Sequence, residues 1–384
     1  MASQEHTKRR ETIRKFCAAA AQHPNYRIPS PIRRYFSFSE RYRLVYCNIQ
    51  KVGSSFWLQV MKRLIGQRKP KSLFGVKTFR HSTGIQGHYS FLNKTEAETA
   101  KLLRSYKKFL FVRDPLSRLF SAYMDKVFVP DPRMFFLAGR RRVRQGEAEE
   151  GVGEGRGEGG SDWRKCFLNV TFQAFLTAIT SGDKQDPHWY PMHLHCEPCS
   201  VDFDYVGRME TFIADTEFIL GQAGVKLSFL PPRDDSFDSE NDLMALRDLA
   251  RRVFHIAHNR GCPSETFMCQ VFRRIWVTLL TRGFISKDVA YPFPERGCAG
   301  ISETSFIGKL VEAYRQSGNR AERMRQRQEA LMEAYCRVPR WLLRKVEEYV
   351  RDDCAMFGYN CSVDSRFPEG GMCTPKTSYF DGFI

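Results

Sequence analysis

"NIQKVGSSFW", residues 48–57, lies between two stretches of different hydrophobic period. Before it, "RLVYC" (residues 43–47) is a short apolar run of strand type. After it, Phe56, Trp57, Val60, Met61 and Leu64 fall on one face of a helix that ends before Gly66. The stretch is therefore the loop of a strand-loop-helix unit. The first backbone N–H groups of a helix are unpaired and carry the positive end of its dipole, so such a loop takes an anion where backbone can come close. Gly53 permits the approach, Ser54 and Ser55 add hydroxyl donors, and Lys51 adds a point charge. A capped helix beside a surface lysine accounts for these residues equally well, so the loop needs a second witness.

"VRDPLSRLFSAY", residues 112–123, supplies it. "FLFV" reads as a buried strand, and Asp114-Pro115 as an N-cap with a favoured first helical residue; Leu116, Leu119, Phe120 and Tyr123 then repeat at helical spacing. Arg113 stands at the carboxyl end of the strand. Ser121 follows eight positions later, off the apolar stripe, so that guanidinium and hydroxyl together can clamp one phosphate. A third strand-to-helix passage, "FDYVGRMETFIADTEFILGQAG", ends at Gly224, and "PRWLLRKVEEYVRDDCAMFGY" carries Trp341, Leu342, Val346, Tyr349 and Val350 at helical spacing. Strands alternating with helices predict an α/β fold with a parallel sheet rather than two unrelated domains.

The chain has 384 residues and a formal net charge of +17, which favours an anionic partner: nucleic acid, a phosphorylated cofactor, an acidic polysaccharide or a membrane surface. Its 12 cysteines are spread along its length, and N-x-Ser/Thr sequons at Asn93, Asn169 and Asn360 suit a lumenal protein. No apolar run is long enough to span a bilayer and the first residues lack a signal-peptide core, so the sequence as written reads as soluble. Residues 1–40 read as a basic, flexible stem, 41–362 as one folded domain, and 363–384 as a tail; the Gly/Glu/Arg-rich stretch 139–162 reads as a disordered insertion.

"IQKVGSSFW" resembles the 5′-phosphosulfate-binding loop of the Golgi carbohydrate sulfotransferases, and "VRDPLSRLFSAY" resembles their 3′-phosphate-binding strand and helix. Within that family the similarity is to the subfamily of chondroitin, dermatan and N-acetylgalactosamine 4-O-sulfotransferases and the HNK-1 sulfotransferase. "HWYPMHLHCEPCSVDFDYVGRMET" and "DDCAMFGY" agree with it. The resemblance implies a single P-loop-like sulfotransferase domain, with a central parallel sheet flanked by helices. It implies 3′-phosphoadenosine 5′-phosphosulfate as sulfate donor and no metal. Lys51, Val52, Gly53, Ser54, Ser55 and Phe56 would form the donor loop, with Lys51 catalytic, and Arg113 and Ser121 would hold the 3′-phosphate. The acceptor would be an anionic or N-acetylgalactosamine-containing glycan, chondroitin- or dermatan-like, and not nucleic acid. Members are type II membrane proteins of the Golgi lumen, so a Golgi membrane association would require an anchor not visible in this sequence.

Among nine histidines, His188 in "DPHWYP" is the expected base for the acceptor hydroxyl, with His81, His88 and Glu210 in reserve; a structural histidine packed on Trp189 is the competing reading. "HLHCEPC", residues 193–199, admits a zinc reading, but it lacks a second ligand pair at matching spacing, and disulfides suit a lumenal protein better. Two other readings stand beside sulfate transfer. A P-loop kinase would need Gly-Lys-Ser/Thr at the end of its loop, and a non-catalytic basic module binding glycosaminoglycan or nucleic acid would leave the paired phosphate motifs without a use.

Overall fold

Phe36–Ser39 (β1) and Leu44–Cys47 (β2) are buried at every position, as strands are when both faces of a sheet are covered. They pair antiparallel, with Phe36 opposite Cys47 and Ser39 opposite Leu44. Lys107–Val112 (β3) runs parallel to β2, and Tyr205–Arg208 (β4) parallel to β3, giving a four-stranded sheet in the order β1-β2-β3-β4. The expected α/β fold around a parallel sheet is present, with one antiparallel edge strand. This computed structural model describes residues 2–22, 33–66, 85, 87–129, 170–182, 186–226, 235–259, 265–368 and 378–380. The expected insertion at 139–162, Asn169 and His81 lie outside the described residues.

The chain divides into two compact units. The first comprises Met1–Ser121, Thr177–Ser239 and Pro339–Gly371, and holds the sheet. Its core is aromatic. Trp57, on the helix Ser54–Leu64 (α2), packs its ring 4.5 Å from Phe109 and 5.2 Å from Phe111, while Tyr46 stacks 4.9 Å from Phe109. Gly207 has no room for a side chain: a Cβ there would lie 2.4 Å from the Phe111 ring. The crossover from β2 to β3 uses α2 and the helix Glu96–Ser105 (α3), which a reciprocal capping box between Thr95 and Glu98 starts.

Residues 2–21, expected to be part of a flexible stem, form the helix Ala2–Ala21 (α1) and pack on β4 and on the helices Phe212–Gln222 and Arg340–Phe357. The physical reason is a set of long-range contacts that spacing does not show. The Arg9 guanidinium is buried, donating to Asp215 at 2.7 Å and to the Val206 carbonyl at 2.9 Å, and Cys17 is disulfide-bonded to Cys199. Arg340–Phe357 buries Leu342, Leu343, Val346, Val350 and Phe357, whereas Trp341, grouped with them by spacing, is 54% exposed and has the Lys345 ammonium 5.4 Å from its ring. A position one step off the buried stripe is turned 100° away from it.

The second unit, Ala122–Leu176, Glu240–Val338 and Met372–Ile384, contains no strand among its described residues. Its long helices are Asp235–Asn259, Glu265–Thr281, Glu303–Arg315 and Arg320–Cys336, the first of which begins just inside the other unit. They pack around Phe254, Phe272, Phe293 and Phe306, the Phe272 and Phe306 rings being 4.0 Å apart. Cys269–Cys298 cross-links this unit. Its separate helical core was not legible as such in the sequence.

Candidate active site

Three loops leave the sheet at the carboxyl ends of its parallel strands, where open α/β sheets collect their ligands. The first, between β2 and α2, places Lys51 at φ 69° and Gly53 at φ 79°, both left-handed. Gly53 is the N-cap of α2 with no side-chain cap, so the leading N–H groups at Ser54 and Ser55 are left for another acceptor. A side chain at Gly53 would lie 2.5 Å from the Phe212 ring, which makes glycine obligatory on both conformational and steric grounds. Ser55 is exposed and Ser54 half-buried, but Val52 is fully buried and Phe56 packs its ring 5.1 Å from Phe212. Val52 and Phe56 thus offer an anion their backbone only.

Arg113 follows β3, and its Nη1 donates to the Lys51 carbonyl at 3.4 Å, which brings the two sequence motifs together. Asp114 caps the helix Pro115–Tyr123 (α4), its Oδ1 accepting from the Ser117 N–H at 2.8 Å and its Oδ2 from Arg366 at 2.8 Å. Ser121 is half-buried on α4, about 10 Å along the axis from the helix start. The third loop, after β4, carries Glu210. One of its oxygens accepts from the Asp114 N–H at 3.2 Å and the other from the Tyr359 hydroxyl at 2.9 Å, so this reserve base ties the ends of β3 and β4 together.

His188 has its Nδ1 2.6 Å from Asp186 Oδ1, and the same oxygen accepts from the His188 backbone N–H at 2.9 Å. The carboxylate fixes the orientation of the ring. Arg118 joins this segment to the Lys51 loop. Only 2% exposed, it donates through Nε to the Gln50 carbonyl at 2.9 Å, through Nη1 to Tyr190 at 2.8 Å and through Nη2 to Pro187 at 3.1 Å. One guanidinium therefore holds the residues immediately before Lys51 and His188. Burial lowers its pKa to about 10, still far above physiological pH.

Two further fastenings act on the same segment. Cys47 at the end of β2 is bonded to Cys196, and Asp353 accepts from the N–H groups of Met192 and His193 at 2.7 and 2.8 Å and lies 2.8 Å from the His193 ring. Burial would raise the Asp353 pKa, but these bonds and the His193 charge outweigh it and hold it low, while His193 is raised by the same carboxylate against its own burial. The disulfide reading of residues 193–199 agrees with the structure: Cys196 and Cys199 are both in disulfides, and His193 is engaged by Asp353. Among the described residues no group of three or more His, Cys, Asp or Glu is placed to hold a metal.

His88 is not brought to this place. Its Nε2 lies 2.7 Å from Glu40, in the β1–β2 turn, at the opposite end of β2 from Lys51. Sequence reading missed Asp186 and Arg118. Asp186 left a signal, an acid two positions before the chosen histidine, whereas Arg118 lies within "VRDPLSRLFSAY" with nothing in its local pattern to distinguish it from a surface arginine.

An uncapped helix start, a lysine and an arginine thus stand together at the carboxyl ends of the parallel strands of an α/β protein. The chain belongs to the sulfotransferase family, whose model matches residues 34–255. It is similar to carbohydrate sulfotransferase 14 of Mus musculus, with 34% identity over 190 residues, 49% of this chain and 46% of that protein. Carbohydrate sulfotransferase 14 of Danio rerio is 29% identical over 226 residues, 56% of this chain and 57% of that protein. For carbohydrate sulfotransferase 11 of Rattus norvegicus the figures are 27% over 232 residues, 57% and 62%. The chain spans about half the length of the curated relatives it matches. No solved structure matches it.

Proposed function

We propose that the protein transfers a sulfuryl group from 3′-phosphoadenosine 5′-phosphosulfate to a carbohydrate hydroxyl. The observation that carries this reading is the convergence, in one compact unit, of the Lys51 loop, Arg113 on its carbonyl, and the Asp186–His188 pair tied to the same loop by Arg118. The loop N–H groups with Ser54 and Ser55 cradle the donor 5′-phosphate, and Arg113 and Ser121 take the 3′-phosphate. His188 Nε2 accepts the proton of the acceptor hydroxyl as its oxygen bonds to sulfur. The bond from sulfur to the 5′-phosphate oxygen breaks, its electron pair stays on adenosine 3′,5′-bisphosphate, and Lys51 meets the charge that grows there. Little covalent work falls to the protein, and positioning and charge stabilisation supply the rate.

The acceptor we favour is a chondroitin- or dermatan-like chain, in keeping with the excess of basic residues. Disulfides at Cys17–Cys199, Cys47–Cys196, Cys269–Cys298 and Cys354–Cys361 fit an oxidising compartment such as the Golgi lumen. Among the described residues no helix is long and apolar enough to cross a membrane. Incubation with radiolabelled donor and a panel of desulfated glycosaminoglycans and neutral N-acetylgalactosamine glycans tests the reading. Label on a glycan supports it. Binding of glycosaminoglycan with no transfer from any donor preparation would replace it with the non-catalytic reading.

A further inference from the structure

The chain after the helix Arg340–Phe357 comes back to the carboxyl ends of β3 and β4, beside the residues assigned to the 3′-phosphate. Gly358, at φ 68°, ends that helix, and the Cys354–Cys361 disulfide closes the turn. The Tyr359 hydroxyl donates to Glu210 at 2.9 Å, and the Arg208 guanidinium carbon lies 4.7 Å from the centre of the Tyr359 ring while the same group donates to the Phe357 carbonyl. A single helical turn, Val363–Arg366, follows, and its last residue reaches the site. Arg366 Nη1 donates to Asp114 Oδ2 at 2.8 Å and to the Asn360 carbonyl at 3.1 Å.

Asp114 is thus held at three atoms: its N–H by Glu210, Oδ1 by the Ser117 N–H that it caps, and Oδ2 by Arg366. It follows Arg113 directly and starts α4, which carries Ser121. Capping needs an acceptor oxygen and not a charge, since asparagine and serine cap as well as aspartate does. The charge itself is of the wrong sign for a place that takes a phosphate: it repels the ligand, and it competes for the neighbouring guanidinium. Arg366 answers it from 252 positions along the chain. The pair is sheltered, with the Asp114 side chain 13% and that of Arg366 27% exposed, so solvent and salt screen it less than a surface pair.

We propose that Arg366 is a positioning residue for the donor 3′-phosphate: it occupies the Asp114 carboxylate, which leaves Arg113 to the phosphate and holds the start of the helix that presents Ser121. The inference rests on the reading of the protein as a sulfotransferase using 3′-phosphoadenosine 5′-phosphosulfate. It adds to the site a residue from the C-terminal part of the chain, beyond the residues 34–255 that match the family model.

The test is calorimetry on the full chain with adenosine 3′,5′-bisphosphate and with adenosine 5′-phosphate, which lacks the 3′-phosphate. Arg366→Met is expected to bind the bisphosphate about tenfold more weakly and the monophosphate within twofold of wild type, and Arg366→Lys, which keeps the charge, to recover most of the loss. Asp114→Asn keeps the cap and removes the charge. Placed in the Arg366→Met background it should restore bisphosphate binding, and alone it should bind at least as tightly as wild type, an arm that stands even where Arg366→Met fails to fold. Arg351→Met, which removes a positive charge from an exposed pair with Glu348 on the helix Arg340–Phe357, should bind as wild type does. Equal losses for both nucleotides, a loss that Asp114→Asn does not repair, or weaker binding by Asp114→Asn alone overturns the assignment. A wild type that binds the two nucleotides alike removes the 3′-phosphate reading and this inference with it, whereas a wild type that prefers the bisphosphate and loses nothing on Arg366→Met removes the inference alone.

Discussion

Lys51 is held at φ 69°, a conformation that costs a non-glycine residue about 1–3 kcal/mol and persists only where the surroundings impose it. Such strain belongs with the role proposed for its ammonium. Lys51→Ala should reduce turnover at least a hundredfold with little change in melting temperature, since the side chain supplies charge rather than packing; near-normal turnover would remove Lys51 from the chemistry. For the 3′-phosphate, Arg113→Ala should weaken binding of adenosine 3′,5′-bisphosphate by about 1.5–3 kcal/mol and Ser121→Ala by about 1 kcal/mol. Calorimetry with that nucleotide and with its analogue lacking the 3′-phosphate decides this. Equal losses for both ligands mean that these residues read something else. Arg118 acts through others. Arg118→Met takes the guanidinium away from three half-buried carbonyls and should lower both stability and turnover, while Arg118→Lys keeps the charge and loses the fork. If it positions His188, the effect of Arg118→Lys on kcat should largely vanish in a His188→Ala background, which a purely structural defect would not do.

At the scale of elements, α1 is the part whose sequence most misleads. Its basic surface suggests a solvated arm, yet His6, Arg9 and Ile13 are buried, and Asp215 accepts from Arg9, from the Arg208 N–H at 2.8 Å and from the Thr211 hydroxyl at 2.6 Å. That carboxylate therefore fastens α1 to the turn that follows β4 and carries Glu210. Breaking a buried pair from one side strands the remaining charge. Arg9→Met is expected to lower stability by about 3 kcal/mol, read as a clear fall in melting temperature; a fall within error would show α1 to be an accessory. β2, β3, β4 and α2 were legible because their burial follows local period, whereas β1, at Phe36–Ser39, fell within the stretch read as a flexible stem and is a strand because it pairs with β2. The register of β4 against β3 was not, because Gly207 is fixed by the Phe111 ring of another strand.

For the molecule as a whole, pH acts through buried groups. Burial, then the Arg118 charge, pushes the His195 pKa down to about 4, and burial pushes that of His6 to about 4 as well. Between pH 6.5 and 4 the unfolded chain takes up protons that the native histidines refuse, so stability should fall across that window on acidification. Burial raises Glu197 to about 7, which has the opposite sign: the native carboxyl keeps its proton from about pH 4.5 to 7 while the unfolded one loses it, so this group removes stability as pH rises. Glu197→Gln, which imitates the protonated form, should therefore raise the melting temperature above pH 7 and leave it unchanged near pH 4. A parallel shift at all pH values would rule out the titration.

Lys51, Gly53, Arg113, Ser121 and His188 could be chosen from the sequence because each stands at a strand-to-helix passage or in a short motif, and such signals are local. The α/β class was determined in the same way, since alternating periods two and 3.6 reflect which faces of nearby residues are buried. Only the tertiary structure decided that Arg118 joins the Lys51 loop to the His188 segment, that Asp186 holds His188, that Cys47 meets Cys196 and Cys17 meets Cys199, and that the second unit has a helical core of its own. Each of these depends on residues far apart in sequence, or on a side chain's direction within a helix, and neither leaves a mark in local period. Burial of a charged residue is the extreme case: Arg118 and Arg9 read as surface residues wherever they are met in a sequence, and only the carbonyls and carboxylate waiting for them make their burial favourable.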